Sequence, residues 1–401
     1  MSSQFDADRM DTGETADAGE VTAALRRCLP GEGADLHKPT FEGNEWAYVK
    51  ECIDTEWVST AGSYVDQFEE DLAEYAGVER AVAVNSGTSA LHVALRVLGV
   101  GKGDEVLVPA LTFVATANAI AYRGATPHFV DSEARTLGLD PEKLGGYLDD
   151  IAEVREGTCV NTQTGRPIRA VVPMHAYGHP VNLGPLEEIC DAYGLALVED
   201  AAESLGSLYK GQHTGTFGRC AAVSFNGNKT ITTGGGGALL TGDEALADEV
   251  AHLTQVAKQD HPWEYAHDQV GYNYRMPNLN AALGCAQLEQ LPSFLKRKRA
   301  LAERYREAFA GVGGVTFFTE PSFARSNYWL NVLLLDAEDR SRRDALLERT
   351  RDAGFETRPT WQLLSTLPMY EDCPRMDLSV AHSLERRLVN LPSTPHLADP
   401  K

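Results

Sequence analysis

The sequence predicts an α/β protein built on a mostly parallel sheet. Three observations predict it. From about residue 80, short apolar runs alternate with stretches of helical spacing. Those runs are apolar at consecutive positions, as strands covered on both faces must be. After about residue 245 the alternation stops, and one long helical stretch leads into a second unit.

The elements follow in order. AVAVN, 81–85, is the first strand, and SALHVALRVLGV behind it has helical spacing. EVLVPA, 105–110, is the second, followed by ATANAIAYRG. TPHFVD, 126–131, and IRAVVPMH, 168–175, come next, with the helix GPLEEICDAYG after them. LALVED, 195–200, AAVSF, 221–225, and GALLTG, 237–242, complete the series. Residues 279–311 form the long helical stretch, interrupted by Pro292. Beyond it lie NYWLNVLLLD, 327–336, and a helix around 341–353. The organisation expected is an acidic arm over 1–34, a large domain over 35–255, and a connecting helix with a small domain over 256–401. The first 30 or so residues read as a mobile or loosely docked arm.

Composition narrows the class. The chain has 401 residues, 43% hydrophobic and 23% charged, which is ordinary for a water-soluble fold. No apolar run reaches the ~18 residues that span a bilayer. The N-terminus is acidic and polar, unlike a signal or transit peptide, so a cytoplasmic protein is expected. A net charge of −22 argues against a nucleic-acid partner. The seven cysteines stand apart with no CxxC pair, so reduced thiols are expected rather than disulfides or a metal site.

Candidate site residues fall at strand ends, where such sheets gather ligands. In NSGTSALHVAL, 85–95, small residues leave a strand and open a helix. Backbone N–H groups at Gly87, with the hydroxyls of Thr88 and Ser89, can cradle a phosphate. Ser and Thr also cap many helices that hold no ligand. Asp200 ends an apolar strand, as a helix cap or as a carboxylate facing a ligand. Ser224 and Lys229 leave the strand AAVSF, ahead of four consecutive glycines, Gly234 to Gly237. Lys229 can be a surface charge, a phosphate clamp or a lysine kept for covalent chemistry. The P-loop spacing GxxxxGK[ST] is absent, and no GxGxxG joins a strand to a helix.

A phosphate cradle, a carboxylate and a lysine on one sheet are the set that pyridoxal phosphate needs. The phosphate needs donors, the pyridine nitrogen needs an anion to keep it protonated, and the aldehyde needs an amine. Phe113, after EVLVPA, is placed to stack on the ring or to join the core.

The segments NSGTSALHVAL, VPALTFVATANAI, VPMHAYGHP, VEDAAES, SFNGNKTITTGGGGALLT and GYNYRMPNLNAALG resemble the DegT/DnrJ/EryC1/StrS family of sugar aminotransferases, in family order. The resemblance covers about residues 35–395. It implies pyridoxal 5'-phosphate as cofactor and the type I fold of pyridoxal phosphate enzymes, with a seven-stranded sheet in a large domain and a smaller α+β domain. It also implies a homodimer whose active sites are shared. By position, Lys229 matches the Schiff-base lysine and Asp200 the partner of the pyridine nitrogen. Glu203 stands where the family often has glutamine or histidine beside the ring. Phe113 matches the stacking aromatic, and Gly87, Thr88, Ser89 and Ser224 the phosphate cradle. Asn273 matches the asparagine that reaches the neighbouring subunit's phosphate. A few members carry histidine in place of the lysine and are dehydratases; Lys229 favours the transaminase branch.

Within the family, SFNGNKTITTGGGG, QLPSF, TRPTWQLLSTLPMY and VNLPST look most like the 4-aminotransferases of legionaminic-acid and related pathways. Those enzymes aminate C4 of a nucleotide-linked 2-acetamido-2,6-dideoxy-4-keto-hexose, with L-glutamate as donor. Perosamine-forming 4-aminotransferases share a similar GNKTITTG stretch, and 3-keto sugar aminotransferases are a further alternative. Arg358 and Trp361 are candidates for holding nucleotide or sugar, or ordinary surface packing.

Overall fold

The computed structural model describes residues 18–399. Its helices are α1 (Ala18–Cys28), α2 (Glu45–Asp54), α3 (Ser63–Ala76), α4 (Gly87–Val97), α5 (Val114–Tyr122), α6 (Pro141–Ile151), α7 (Leu183–Tyr193), α8 (Glu244–Thr254), α9 (Asn278–Phe309), α10 (Arg340–Asp352) and α11 (Ser379–Arg387). The main sheet has β1 (Arg80–Val84), β2 (Glu105–Pro109), β3 (Thr126–Val130), β4 (Ile168–Val171), β5 (Ala196–Asp200), β6 (Cys220–Ser224) and β7 (Gly237–Thr241). Their spatial order is β1-β7-β6-β5-β4-β2-β3. Strands β2 to β6 pair in parallel with one another, as does β3 with β2. Only β7 runs the other way, antiparallel to β1 and β6.

Alternate residues of these strands meet different helical layers. Val82, Val84, Val106, Val108, Val198 and Leu239 pack with α4, α5 and α8. Ala81, Ala83, Ala221, Val223 and Leu240 face α3 and α9. Leu107 and Leu197 face α6 and α7. Burial on both sides is why each strand reads as an unbroken apolar run. Because β5 and β6 are parallel, their last residues, Asp200 and Ser224, emerge at the same edge of the sheet.

A smaller antiparallel sheet has β8 (Val315–Phe317), β9 (Asn331–Leu335), β10 (Arg358–Pro359) and β11 (Leu388–Leu391) in the order β8-β9-β11-β10. Contacts around β3 help tie this unit to the main sheet. Residues 374–376 lie along β3, where the Phe129 amide donates to the Pro374 carbonyl (2.9 Å) and the Met376 amide to the Phe129 carbonyl (3.0 Å). They cover what would otherwise be an open sheet edge. Asp131, just past β3, is fully buried and accepts from Lys143 Nζ (2.6 Å) and from the Val380 and Ala381 amides opening α11 (3.2 and 2.8 Å).

Two expectations are corrected. Residues 18–28 are a docked helix, with Val21, Ala24 and Leu25 fully buried beside Leu301, Tyr305 and Leu346. That apolar face needs a partner, and the end of α9 supplies it. Residues 1–17 of the proposed arm lie outside the described residues, while at 29–34 Leu29 is buried and the Ala34 amide donates to the Gly354 carbonyl (3.0 Å). Pro292 does not interrupt the long helix, which runs through it from Asn278 to Phe309. Proline removes one backbone donor. Leu288, Leu291 and Phe294 on the same stretch are buried with Phe68 and Leu72 of α3, and this packing holds the helix together. No disulfide joins the cysteines of the described residues. Among the described residues no helix is long and apolar enough to cross a membrane.

Candidate active site

A cleft opens where β5 and β6 end. It is lined by Asn85, Ser86, Gly87, Thr88, Phe113, Asp200, Glu203, Ser224, Asn228, Lys229, Trp329 and Trp361, among others. It encloses about 330 Å³, the lower end of the ~300–1,000 Å³ usual for small-molecule sites.

One wall is the start of α4. Ser86, in extended conformation, caps the helix by accepting from the Ser89 amide (3.1 Å). The Ser89 hydroxyl donates to Asn85 Oδ1 (2.6 Å), so it is engaged within the turn rather than facing the cleft. Gly87 and Thr88 do line the cleft, at the positive end of the helix dipole. A Cβ on Gly87 would come within 3.0 Å of Ser224 Cβ, so glycine lets the helix start approach β6. The four glycines of the run are not equivalent. Gly234 has φ +79°, the left-handed region glycine tolerates. A Cβ on Gly237 would lie 2.5 Å from the backbone of Ser86 and Gly87. Gly235 has nothing near it.

The floor carries the charges. Asp200 is buried and accepts from Thr116 Oγ1 (2.7 Å) and the Ala202 amide (3.2 Å). Burial pushes its carboxyl above the usual range, against the pull of those two donors and of Lys229. Glu203 is buried too. Its Oε2 accepts from the Tyr177 amide (2.9 Å), and its Oε1 faces Lys229 Nζ at 3.3 Å. Desolvation pushes Glu203 up to about 7, with Lys229 the main opposing influence. The Lys229 Nζ also sits 4.0 Å from the centroid of the Trp329 ring, a cation–π contact.

The smaller unit supplies the other wall. Trp329 Nε1 donates to the Asn228 carbonyl (2.7 Å), fixing the ring over Lys229. Trp361 stacks on Tyr177 at 4.8 Å with planes 9° apart. Tyr177 has φ +57°, an unusual backbone for a bulky residue, and it joins Glu203 to the Trp361 wall. Behind Trp329, the buried Lys298 donates to the Trp329 carbonyl (3.1 Å) and the Ser393 carbonyl (2.6 Å). Burial lowers the Lys298 ammonium to about 7.

The structure therefore brings Lys229, Asp200, Glu203, Gly87, Thr88, Ser224, Phe113 and Trp361 to one cleft. Phe113 is half exposed there. Asn273 lies outside the cleft of its own chain; its carbonyl accepts from Asn85 Nδ2 (3.3 Å) and the residue is exposed. Arg358 is also outside, exposed and paired with Glu356 at 2.8 Å. Sequence reasoning missed Trp329, Tyr177 and Thr116. The one signal for Trp329 was NYW opening a strand of the second unit, which equally suits a core aromatic.

The residues present fit pyridoxal phosphate. A buried carboxylate with only two neutral donors has room for a cationic ring nitrogen. A helix start kept bare by glycine suits a phosphate, and a lysine lines the same cleft. Fold and cleft together define a pyridoxal phosphate-dependent aminotransferase of the type I fold. The chain belongs to the DegT/DnrJ/EryC1/StrS aminotransferase family, whose sequence profile matches residues 39–401. Among its relatives is EpsN of Bacillus subtilis (strain 168), 39% identical over 91% of this chain and 92% of its own, which carries "pyridoxal phosphate-dependent aminotransferase" in its name. The GDP-perosamine synthase of Escherichia coli O157:H7 is also 39% identical, over 91% and 94%. The crystal structure of the aminotransferase TlmJ from Streptoalloteichus hindustanus superposes with a TM-score of 0.80 at 31% identity, covering 90% and 93%. The chain is therefore an aminotransferase of this family.

Proposed function

We propose that the chain moves the amino group of L-glutamate to C4 of a nucleotide-linked 4-keto-6-deoxy sugar, in the cytoplasm, as a homodimer. The observation that carries this reading is the convergence of Lys229, Asp200 and the α4 start on a cleft walled by Trp329 and Trp361. Bound pyridoxal phosphate supplies an aldehyde that condenses with amines and a ring that withdraws electrons from the adjoining carbon. Asp200 holds the proton on the ring nitrogen. Gly87, Thr88 and Ser224 hold the phosphate with Asn273 of the partner subunit, and Phe113 covers the ring. Lys229 would hold the cofactor aldehyde and, once freed, would take a proton from the α-carbon of glutamate and in the second half-reaction deliver one to the sugar carbon. Two half-reactions in one cleft require ping-pong kinetics.

Two acceptors meet this chemistry. A UDP- or GDP-linked 2-acetamido-2,6-dideoxy-4-keto-hexose is supported by the likeness of the Lys229 segment and of 357–370 to legionaminic-type enzymes. A GDP-linked 4-keto-6-deoxyhexose without the acetamido group is supported by the name GDP-perosamine synthase on a relative of 39% identity. A panel of UDP- and GDP-linked 4-keto and 3-keto sugars, incubated with glutamate and read by NMR, decides between them. Amination at C3 alone would overturn the C4 reading. Lys229→Ala is expected to lose more than about 10⁴-fold in turnover. A retained rate would remove Lys229 from the mechanism.

A further inference from the structure

We propose that Glu203 is the proton acceptor for Lys229. The proton passes from the Nζ ammonium to Oε1 of the carboxylate, leaving a neutral amine and a neutral carboxyl. No atom or charge is lost, and no third group is needed.

The geometry assigns the two oxygens different tasks. Oε2 is held by the Tyr177 amide at 2.9 Å, a donor that cannot be displaced without disturbing a left-handed residue. Oε1 has Lys229 Nζ at 3.3 Å. Glu203 is 3% exposed, so a proton leaving Lys229 toward it does not enter solvent. The neighbouring charged or titratable groups are Lys229, Asp200 and Tyr177. Asp200 adds a second negative charge that favours protonating Glu203. An affinity near neutrality suits a group that must take a proton and release it again. Glutamine at this position could position the lysine but could not accept its proton.

The inference rests on Lys229 being the cofactor-holding amine. That is checked separately by borohydride trapping and peptide mapping, in which label on Lys229, absent from Lys229→Ala, establishes the link whatever Glu203 does. The test itself is the rate of pyridoxal phosphate capture by cofactor-free full-length protein as a function of pH. In the wild type the proton stays within the pair, so the rate is level above about 7. In Glu203→Gln the proton must go to solvent. Capture near neutrality should then fall at least tenfold and climb about tenfold per pH unit toward the wild-type plateau. A variant profile that superposes on the wild type, or lies below it by one constant factor, overturns the proposal. If Glu203→Gln does not fold, Glu203→Ala with added formate replaces it. Rescue by formate and not by formamide supports the role, and equal response to both overturns it.

Discussion

Two carboxylates buried at opposite ends of the main sheet show how this molecule separates structure from chemistry. Glu105 begins β2 and is fully buried. It accepts from His128 Nδ1 (2.9 Å), Asn161 Nδ2 (2.9 Å) and Thr164 Oγ1 (2.7 Å), with Arg166 at 3.9 Å. Burial alone would raise its pKa, but those hydrogen bonds outweigh it and carry the carboxyl below its ordinary value. Asp200 ends β5 with two donors, and its pKa is raised. A carboxylate surrounded by donors is finished, and it holds residues 161–164 to the sheet. One left short of donors costs stability until a ligand completes it. The same contrast recurs between neighbours in sequence. Glu199 takes His175 and the Gly215 and Phe217 amides, while Asp200 faces the cleft.

The comparison can be broken most directly at Asp200. Asp200→Asn should lower turnover roughly 10²–10³-fold, the usual loss when a key charge stabiliser is removed. The cofactor-free variant should melt no lower than wild type at neutral pH. The sign follows from linkage: a carboxyl raised above its ordinary 3.8 binds its proton more tightly folded than unfolded, so the wild type loses stability as pH rises through that raised value. Calorimetry showing a large neutral-pH destabilisation would mean that Asp200 is structural after all.

Glu105→Gln should behave in the opposite way, keeping turnover while losing about 1–3 kcal/mol of stability, since a paired buried charge becomes a poorly matched amide. The contribution of Glu105 is present above its ordinary 4.5 and is lost as pH falls through its depressed folded value. The gap between wild type and variant, measured by denaturant unfolding, should therefore narrow in acid below that range. A gap constant with pH would show that shape rather than charge carries the effect. The smallest effect is expected at the wall. Trp361→Ala should raise the KM for the sugar nucleotide about tenfold, roughly one buried aromatic contact, and leave kcat nearly unchanged. A fall in kcat instead would tie the Tyr177–Trp361 stack to Glu203 and the floor.

Much of this was legible in the sequence. All seven strands of the main sheet appear as apolar runs because both faces are covered. Lys229, Asp200 and Ser224 announce themselves by leaving those strands. The spatial order of the strands is carried by crossover packing and has no local trace. The helix α1 was readable after all, since Val21, Ala24, Leu25 and Cys28 have helical spacing, but an acidic terminus drew attention to its charge. Nothing in VEDAAES distinguishes the satisfied Glu199 from the reactive-side Glu203. That difference is made by donors from residues 175–177 and 213–217, distant along the chain. Trp329 and Tyr177 were missed for the same reason: their importance lies in which lysine and which glutamate they touch.

The glycine run beside the active lysine has a consequence for anyone building libraries around this cleft. Gly235 has nothing near an added Cβ but lines the cleft, so it should accept small residues and not bulky ones that would fill the site. Gly237 would drive even a methyl group into the first turn of α4, and Gly236 into Thr233 Oγ1 at 2.2 Å. In a saturation screen, four adjacent identical letters should thus score as unlike positions: tolerance of small residues at 235, near-lethality at 237 where backbone is met, a cost at 236 set by how far Thr233 and Met276 can give, and at 234 a penalty set by backbone handedness alone.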